Sequence, residues 1–146
     1  FDRRLTPSIR QRLEERKVSV FDAVTLASII EREVRGEEDR RKVADIFWRR
    51  LDAGMALQAD STVNYATGKS VPAVSLDDTK NVSRYNTYKY PGLPLGPIAN
   101  PGLTALEAAA YPEPNDAWYF LTGEDGVVHY ARTLDEHNRN KAKYLK

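Results

Sequence analysis

From Tyr90 to Leu106 the chain runs 17 residues without a charged side chain, yet Pro91, Pro94, Pro97 and Pro101 interrupt it. Proline fixes φ and has no N–H to donate, so this apolar stretch cannot form a membrane-spanning helix. It belongs to a longer Pro- and Gly-rich segment, YNTYKYPGLPLGPIANPG, at residues 85–102. A loop of that length inside a compact domain usually has a purpose beyond connection. It separates a helical first part from a second part with different periodicities.

Residues 7–16 read as a short charged helix. Ser19 followed by Asp22 is a capping-box-like start for a second helix at about 20–35, with Gly36 as its stop. Val43, Ile46, Phe47, Arg50 and Leu51 recur at helical spacing within 37–53, before Gly54. Residues 60–67 predict a short helix, after which periodicity is lost until about 102. Leu103–Tyr111 reads as an Ala-rich helix, Ala117–Thr122 as a strand, Gly123–Gly126 as a turn and Val127–Arg132 as the hairpin partner. Thr133 with Glu136 opens a last helix to about Tyr144. Helices plus one antiparallel hairpin, without βαβ alternation, predict an α+β fold.

At 146 residues, 41% hydrophobic and 29% charged, the chain can bury a core as one domain. Twenty-two basic against 21 acidic residues argue against a nucleic-acid or other polyanion binder. With no Cys and only His129 and His137, a thiol nucleophile is excluded and a metal centre is disfavoured. The sequence begins at Phe1 and enters charged, helix-like residues directly, which suggests a domain excised from a longer protein.

On a helix each residue advances about 100°. Leu26, Ala27, Ile29, Ile30 and Val34 then form one stripe, with Glu33 roughly 50° and Glu31 about 110° from its centre, while Arg32 and Arg35 project away. Glu33 is the carboxylate most readily held against apolar walls, and burial raises a carboxyl pKa toward the range of a general acid. The plain alternative is a salt bridge to Arg32, Arg35 or the next helix. The Arg pairs 40–41 and 49–50 lie among many acids and read as a solvated mixed-charge face. His137, His129 and Trp118–Phe120 read as surface, packing or hairpin residues.

Leu26-Ala-Ser-Ile-Ile-Glu-Arg-Glu-Val34, Gly54-Met-Ala-Leu-Gln-Ala-Asp60, Tyr85-Asn-Thr-Tyr88 and Gly92-Leu-Pro-Leu-Gly-Pro-Ile-Ala-Asn-Pro-Gly102 occur in that order. Together with Trp118–Phe120 and Glu136-His-Asn138, they resemble the endolytic murein transglycosylase, or YceG-like, family from about residue 20 onward. The resemblance implies a bacterial lyase of cell-wall biogenesis that cuts nascent peptidoglycan strands internally. It implies a place on the periplasmic or cell-wall face of the cytoplasmic membrane, with a single-pass anchor and a LysM-like subdomain ahead of the catalytic part. Residues 1–19 would lead in from that region and 20–146 would be the catalytic domain.

The family's acid lies in an E-x-E pair, here Glu31 and Glu33. The family resembles other lytic transglycosylases in placing a hydroxyl residue directly after the acid, which points to Glu33. This chain departs from the pattern with Val34 at that position, and with Ser61 where Pro commonly precedes the Thr62-Val63 pair. The implied reaction uses one carboxyl as acid and then base, leaves 1,6-anhydromuramoyl ends, and needs neither metal nor cofactor. Gln58, Asp60, Tyr85, Asn86 and Tyr88, with Glu31, are the expected substrate-holding residues, since amides suit N-acetyl groups and tyrosine rings suit sugar faces. A helix N-cap is the plain alternative for Asp60, and packing is the alternative for the two tyrosines. Peptidoglycan strands are the implied partner, with proteins of a cell-wall synthesis complex beside them. A hydrolase using Glu33 and Asp60, or a non-catalytic glycan-binding module, remains open at this point.

Overall fold

The computed structural model describes residues 3–71 and 74–145. Within them lie α1 (Pro7–Glu15), α2 (Val20–Glu33), α3 (Glu37–Asp52) and α4 (Asp60–Thr67). A 3₁₀ turn follows at Asp78–Lys80, then α5 (Leu103–Ala110), β1 (Tyr119–Thr122), β2 (Val128–Ala131) and α6 (Leu134–Tyr144). The two strands pair antiparallel, Tyr119 opposite Ala131 and Leu121 opposite His129. The architecture is α+β. Residues 81–102 contain turns and bends but no helix or strand.

Helix α2 is the centre of the molecule rather than a surface helix with one apolar stripe: every residue from Ala23 to Ile30 is buried. Ser19 starts it, its Oγ accepting from the Asp22 N–H at 3.1 Å and so satisfying one orphan donor of the first turn. α1, α3, α4 and α5 all pack on it. Leu26, Ile29 and Ile30 are fully enclosed, each worth roughly 1.5–3 kcal/mol of burial. Leu5, Ile9 and Leu13 belong to the same core, so the first helix is part of this body.

The end of α2 differs from the sequence expectation. The helix stops at Glu33, and Val34 is extended at φ −142°, ψ 156°. Gly36 does not stop α2; it is the N-cap of α3, at an ordinary φ of −69°. Arg40 explains the early stop. Its Nε donates to Val34 O at 2.9 Å, its Nη1 to Thr104 Oγ1 at 2.6 Å and its Nη2 to Glu31 Oε2 at 2.8 Å, tying the end of α2 to the starts of α3 and α5.

Two polar ties carry the irregular segment to the core. Ser28 Oγ accepts from the Ile98 N–H at 3.0 Å, and Glu31 Oε1 accepts from the Gly102 N–H at 2.8 Å. On the other side, Trp48 Nε1 donates to Ala109 O at 3.0 Å, joining α3 to α5.

Candidate active site

Glu33 is the last residue of α2, where the helix dipole already disfavours further negative charge. Its Oε2 accepts from the Ser61 N–H at 3.1 Å, one of the free donors in the first turn of α4. Burial raises its pKa to about 7; the Asp60 charge adds to the rise, and the Ser61 hydroxyl and N–H oppose it. Desolvation wins because the neutral carboxyl loses much less than the carboxylate when water is removed. No salt bridge to Arg32, Arg35 or α3 forms among the described residues. The ion pair belongs to Glu31.

Glu31 has the opposite environment. The Gly102 N–H and the Arg40 guanidinium hold its carboxyl below the usual range. It does not line the cleft, and its contacts clamp α2 to α3 and to the start of α5. The approach is close: a Cβ at Gly102 would meet Glu31 Oε1 at 3.3 Å, so the carboxylate would have to give way by a few tenths of an ångström.

Glu33 opens on a cleft of about 820 Å³, also lined by Gln58, Asp60 and Tyr88, by Tyr65 of α4, and by Trp118 and Tyr119 across from them. Gln58 is exposed and sits in the left-handed region at φ 54°. Such a conformation costs a non-glycine residue on the order of 1 kcal/mol, and its N–H bond to Thr87 O at 3.2 Å helps to hold it. Asp60 is not an N-cap. Ala59 holds that place, and the Asp60 carboxylate accepts from the Tyr88 hydroxyl, which has its pKa raised by burial and by that bond.

Asn86 and Tyr85 stand elsewhere. Asn86 is fully buried, and its Nδ2 donates to Thr79 O at 2.9 Å and Asn81 O at 2.7 Å while its Oδ1 accepts from the Tyr88 N–H at 2.9 Å. With those bonds made, its amide is spent on shaping the loop and aiming Tyr88, and it has no free face toward the cleft. Tyr85 packs on the core and against Tyr65, ring centroids 4.7 Å apart, behind the cleft wall.

Several roles differ from the sequence expectation or left no trace in it. Thr62 and Thr87 share a buried hydroxyl pair at 2.9 Å, and Thr87 Oγ1 also accepts from the Ala59 N–H at 2.9 Å. This network fastens the loop to the entry of α4. Arg40 and Arg50 are not solvated: they are 8% and 5% exposed. Acids at helical spacing suggested a mixed-charge face, but Arg50 turns inward to Trp118 O and Ala56 O. His137 also lines the cleft, stacked on Tyr119.

The helical α+β domain thus presents, at the end of its central helix, one glutamate with its pKa raised to about 7 in an aromatic-walled cleft. The chain is 45% identical to an endolytic murein transglycosylase of Bacillus subtilis over 136 residues, 93% of this chain and 38% of that protein. It is 34% identical to one of Streptococcus pneumoniae over 150 residues, 99% of this chain and 27% of that protein. A 2.6 Å crystal structure of a YceG-like protein from Listeria monocytogenes superposes with a TM-score of 0.84 at 44% identity, covering 90% of this chain and 43% of that one. The chain thus spans well under half the length of the relatives it matches. Residues 1–143 match the YceG-like family, and the chain belongs to it.

Proposed function

We propose that this chain is the catalytic part of an endolytic murein transglycosylase, with Glu33 as the single acid and base. The observation that carries the reading is the Glu33 carboxyl, raised to about 7 in a cleft it shares with Gln58, Asp60 and Tyr88. The names of its relatives support murein as the substrate.

Protonated Glu33 donates to the oxygen joining N-acetylmuramic acid to N-acetylglucosamine, and that bond breaks as positive charge develops at C1. The carboxylate left behind takes the proton of the muramoyl C6 hydroxyl, whose oxygen closes on C1. One proton has gone out and one has returned, no water is consumed, and the new end is 1,6-anhydro. A pKa near 7 suits both halves of this cycle, and such acid–base catalysis contributes about 10²–10⁴ in rate. The Asp60 carboxylate, fixed by Tyr88, keeps negative charge beside the developing cation, while Gln58 offers an amide to the N-acetyl groups. On this reading the chemistry resides in residues 20–146, with 1–19 leading in from a membrane-anchored region on the cell-wall side.

The test is mass spectrometry of uncrosslinked glycan strands incubated with the wild type and with Glu33→Gln. Internal cuts with anhydromuramoyl ends, absent in the variant, are expected. Reducing ends would instead make the protein a hydrolase with Asp60 as the base. Undiminished cleavage by Glu33→Gln would overturn the assignment of the acid.

A further inference from the structure

Arg50 is a buried cation without an acid. Its Nε donates to Trp118 O at 2.8 Å, its Nη1 donates to Ala56 O at 2.7 Å, and its guanidinium lies 4.8 Å from the Tyr119 ring centroid. Nη2 has no hydrogen-bond partner, and no carboxylate is within ion-pair distance, among the described residues. Arg40, equally buried, closes on Glu31. A buried charge without a counter-ion is costly, and Arg50 faces the same cleft as Glu33.

A second orphan stands beside it. His137 Nδ1 is buried without a partner, and its ring stacks on Tyr119 at 5.0 Å. Lys141, one helical turn further along α6, is exposed and lines the cleft as well. The cleft's two acids, Glu33 and Asp60, are engaged with Ser61 and Tyr88. This end of the cleft therefore carries positive charge, on Arg50 and Lys141, that no carboxylate among the described residues pairs with.

In a peptide-bearing murein strand the lactyl carboxyls are tied up as amides and the sugars are neutral, so the free negative charges are carboxylates of the stem peptides. We propose that Arg50, His137 and Lys141 form a subsite for a stem-peptide carboxylate, so that the cleft reads whether the strand still bears its peptides. The proposal rests on the glycan-cleaving function given above. A neutral N-acetyl oxygen could take the Arg50 donor but gives no use for Lys141.

The experiment compares three uncrosslinked strand preparations: peptide-bearing, peptide-stripped with the freed lactyl carboxylates amidated, and peptide-bearing with the carboxylates amidated. The wild type should cut the first with a kcat/KM about fivefold or more above the other two, mainly through KM. Lys141→Glu should bring that ratio close to one, as should Arg50→Gln if thermal melting shows it folded. Calorimetric titration with a soluble muramoyl tetrapeptide should show the same loss of affinity in Lys141→Glu. Equal kcat/KM on all three substrates, or a ratio unchanged in Lys141→Glu, overturns the subsite. If the wild type cuts none of the strands, the cleavage function fails, and the titration alone then decides the subsite.

Discussion

Glu31 and Glu33 stand two residues apart at the end of one helix, and their surroundings drive their carboxyls to opposite sides of the ordinary carboxylate pKa. The separation comes from backbone geometry. Because α2 stops at Glu33 and Val34 is extended, one side chain meets Arg40 and the Gly102 N–H while the other enters the cleft. A helix continuing to residue 35 would not have held Val34 O on Arg40 Nε in the same way.

Glu33 should cost stability as pH rises. Below about 4.5 both folded and unfolded chains carry its proton. Between there and about 7 the unfolded chain releases the proton while the folded one keeps it, so stability falls, and above 7 the loss is complete. Allowing for solvent in the cleft, about 2 kcal/mol is at stake. Glu33→Gln should therefore be more stable than the wild type at pH 8 and equal to it near pH 4. Urea denaturation across that range checks the prediction, and parallel wild-type and variant curves would refute it.

Glu31 should behave in the reverse sense. Its lowered pKa gives stability that is present above the ordinary carboxylate range and lost as pH falls through its folded value. Glu31→Ala leaves the buried Arg40 guanidinium short of its charge partner and the Gly102 N–H without an acceptor, at a cost of about 2–4 kcal/mol. The loss should show in thermal melting. The alkaline limb of the cleavage profile should stay where Glu33 puts it.

Much of this was legible in the residues. The Ser19 and Thr133 caps, the hairpin and the position of Glu33 on its helix follow from local rules that need few distant partners. Other features depended on partners far along the chain. Arg50 is buried because carbonyls of residues 56 and 118 converge on it, and Asn86 became a loop brace because Thr79 and Asn81 offer it their carbonyls. Neither convergence leaves a periodic trace. The stop of α2 was misplaced for a similar reason: glycine marks an end in sequence, and only Arg40 shows which helix Gly36 serves.

The hydroxyl pair of Thr62 and Thr87 yields a stability prediction with a kinetic signature. Thr87→Val keeps the shape but deprives the buried Ala59 N–H of its acceptor and Thr62 Oγ1 of its neighbour. A cost of about 1–3 kcal/mol is expected in denaturant titration. Gln58 and Tyr88 hang on this fastening from its two sides, so KM for glycan strands should rise as well. A stability loss without a KM change would detach the network from the cleft.

Asp60 and Tyr88 set the last prediction, which concerns the pH at which cleavage fails. In the mechanism we propose, cleavage needs Glu33 protonated at the start, so kcat/KM should fall on the alkaline side with an apparent pKa of about 7. The Asp60 charge is one of the causes raising that value, though a smaller one than burial. Removing it in Asp60→Asn should move the alkaline limb down, by less than about one unit. Tyr88→Phe acts in the other direction: it takes away the hydroxyl that donates to Asp60, leaves the carboxylate's charge less compensated, and should move the limb up. Opposite displacements from two residues that share one hydrogen bond could not arise from general loosening of the cleft, which would lower kcat/KM at every pH. Limbs displaced in the same direction would show that Asp60 does not act on Glu33 through its charge.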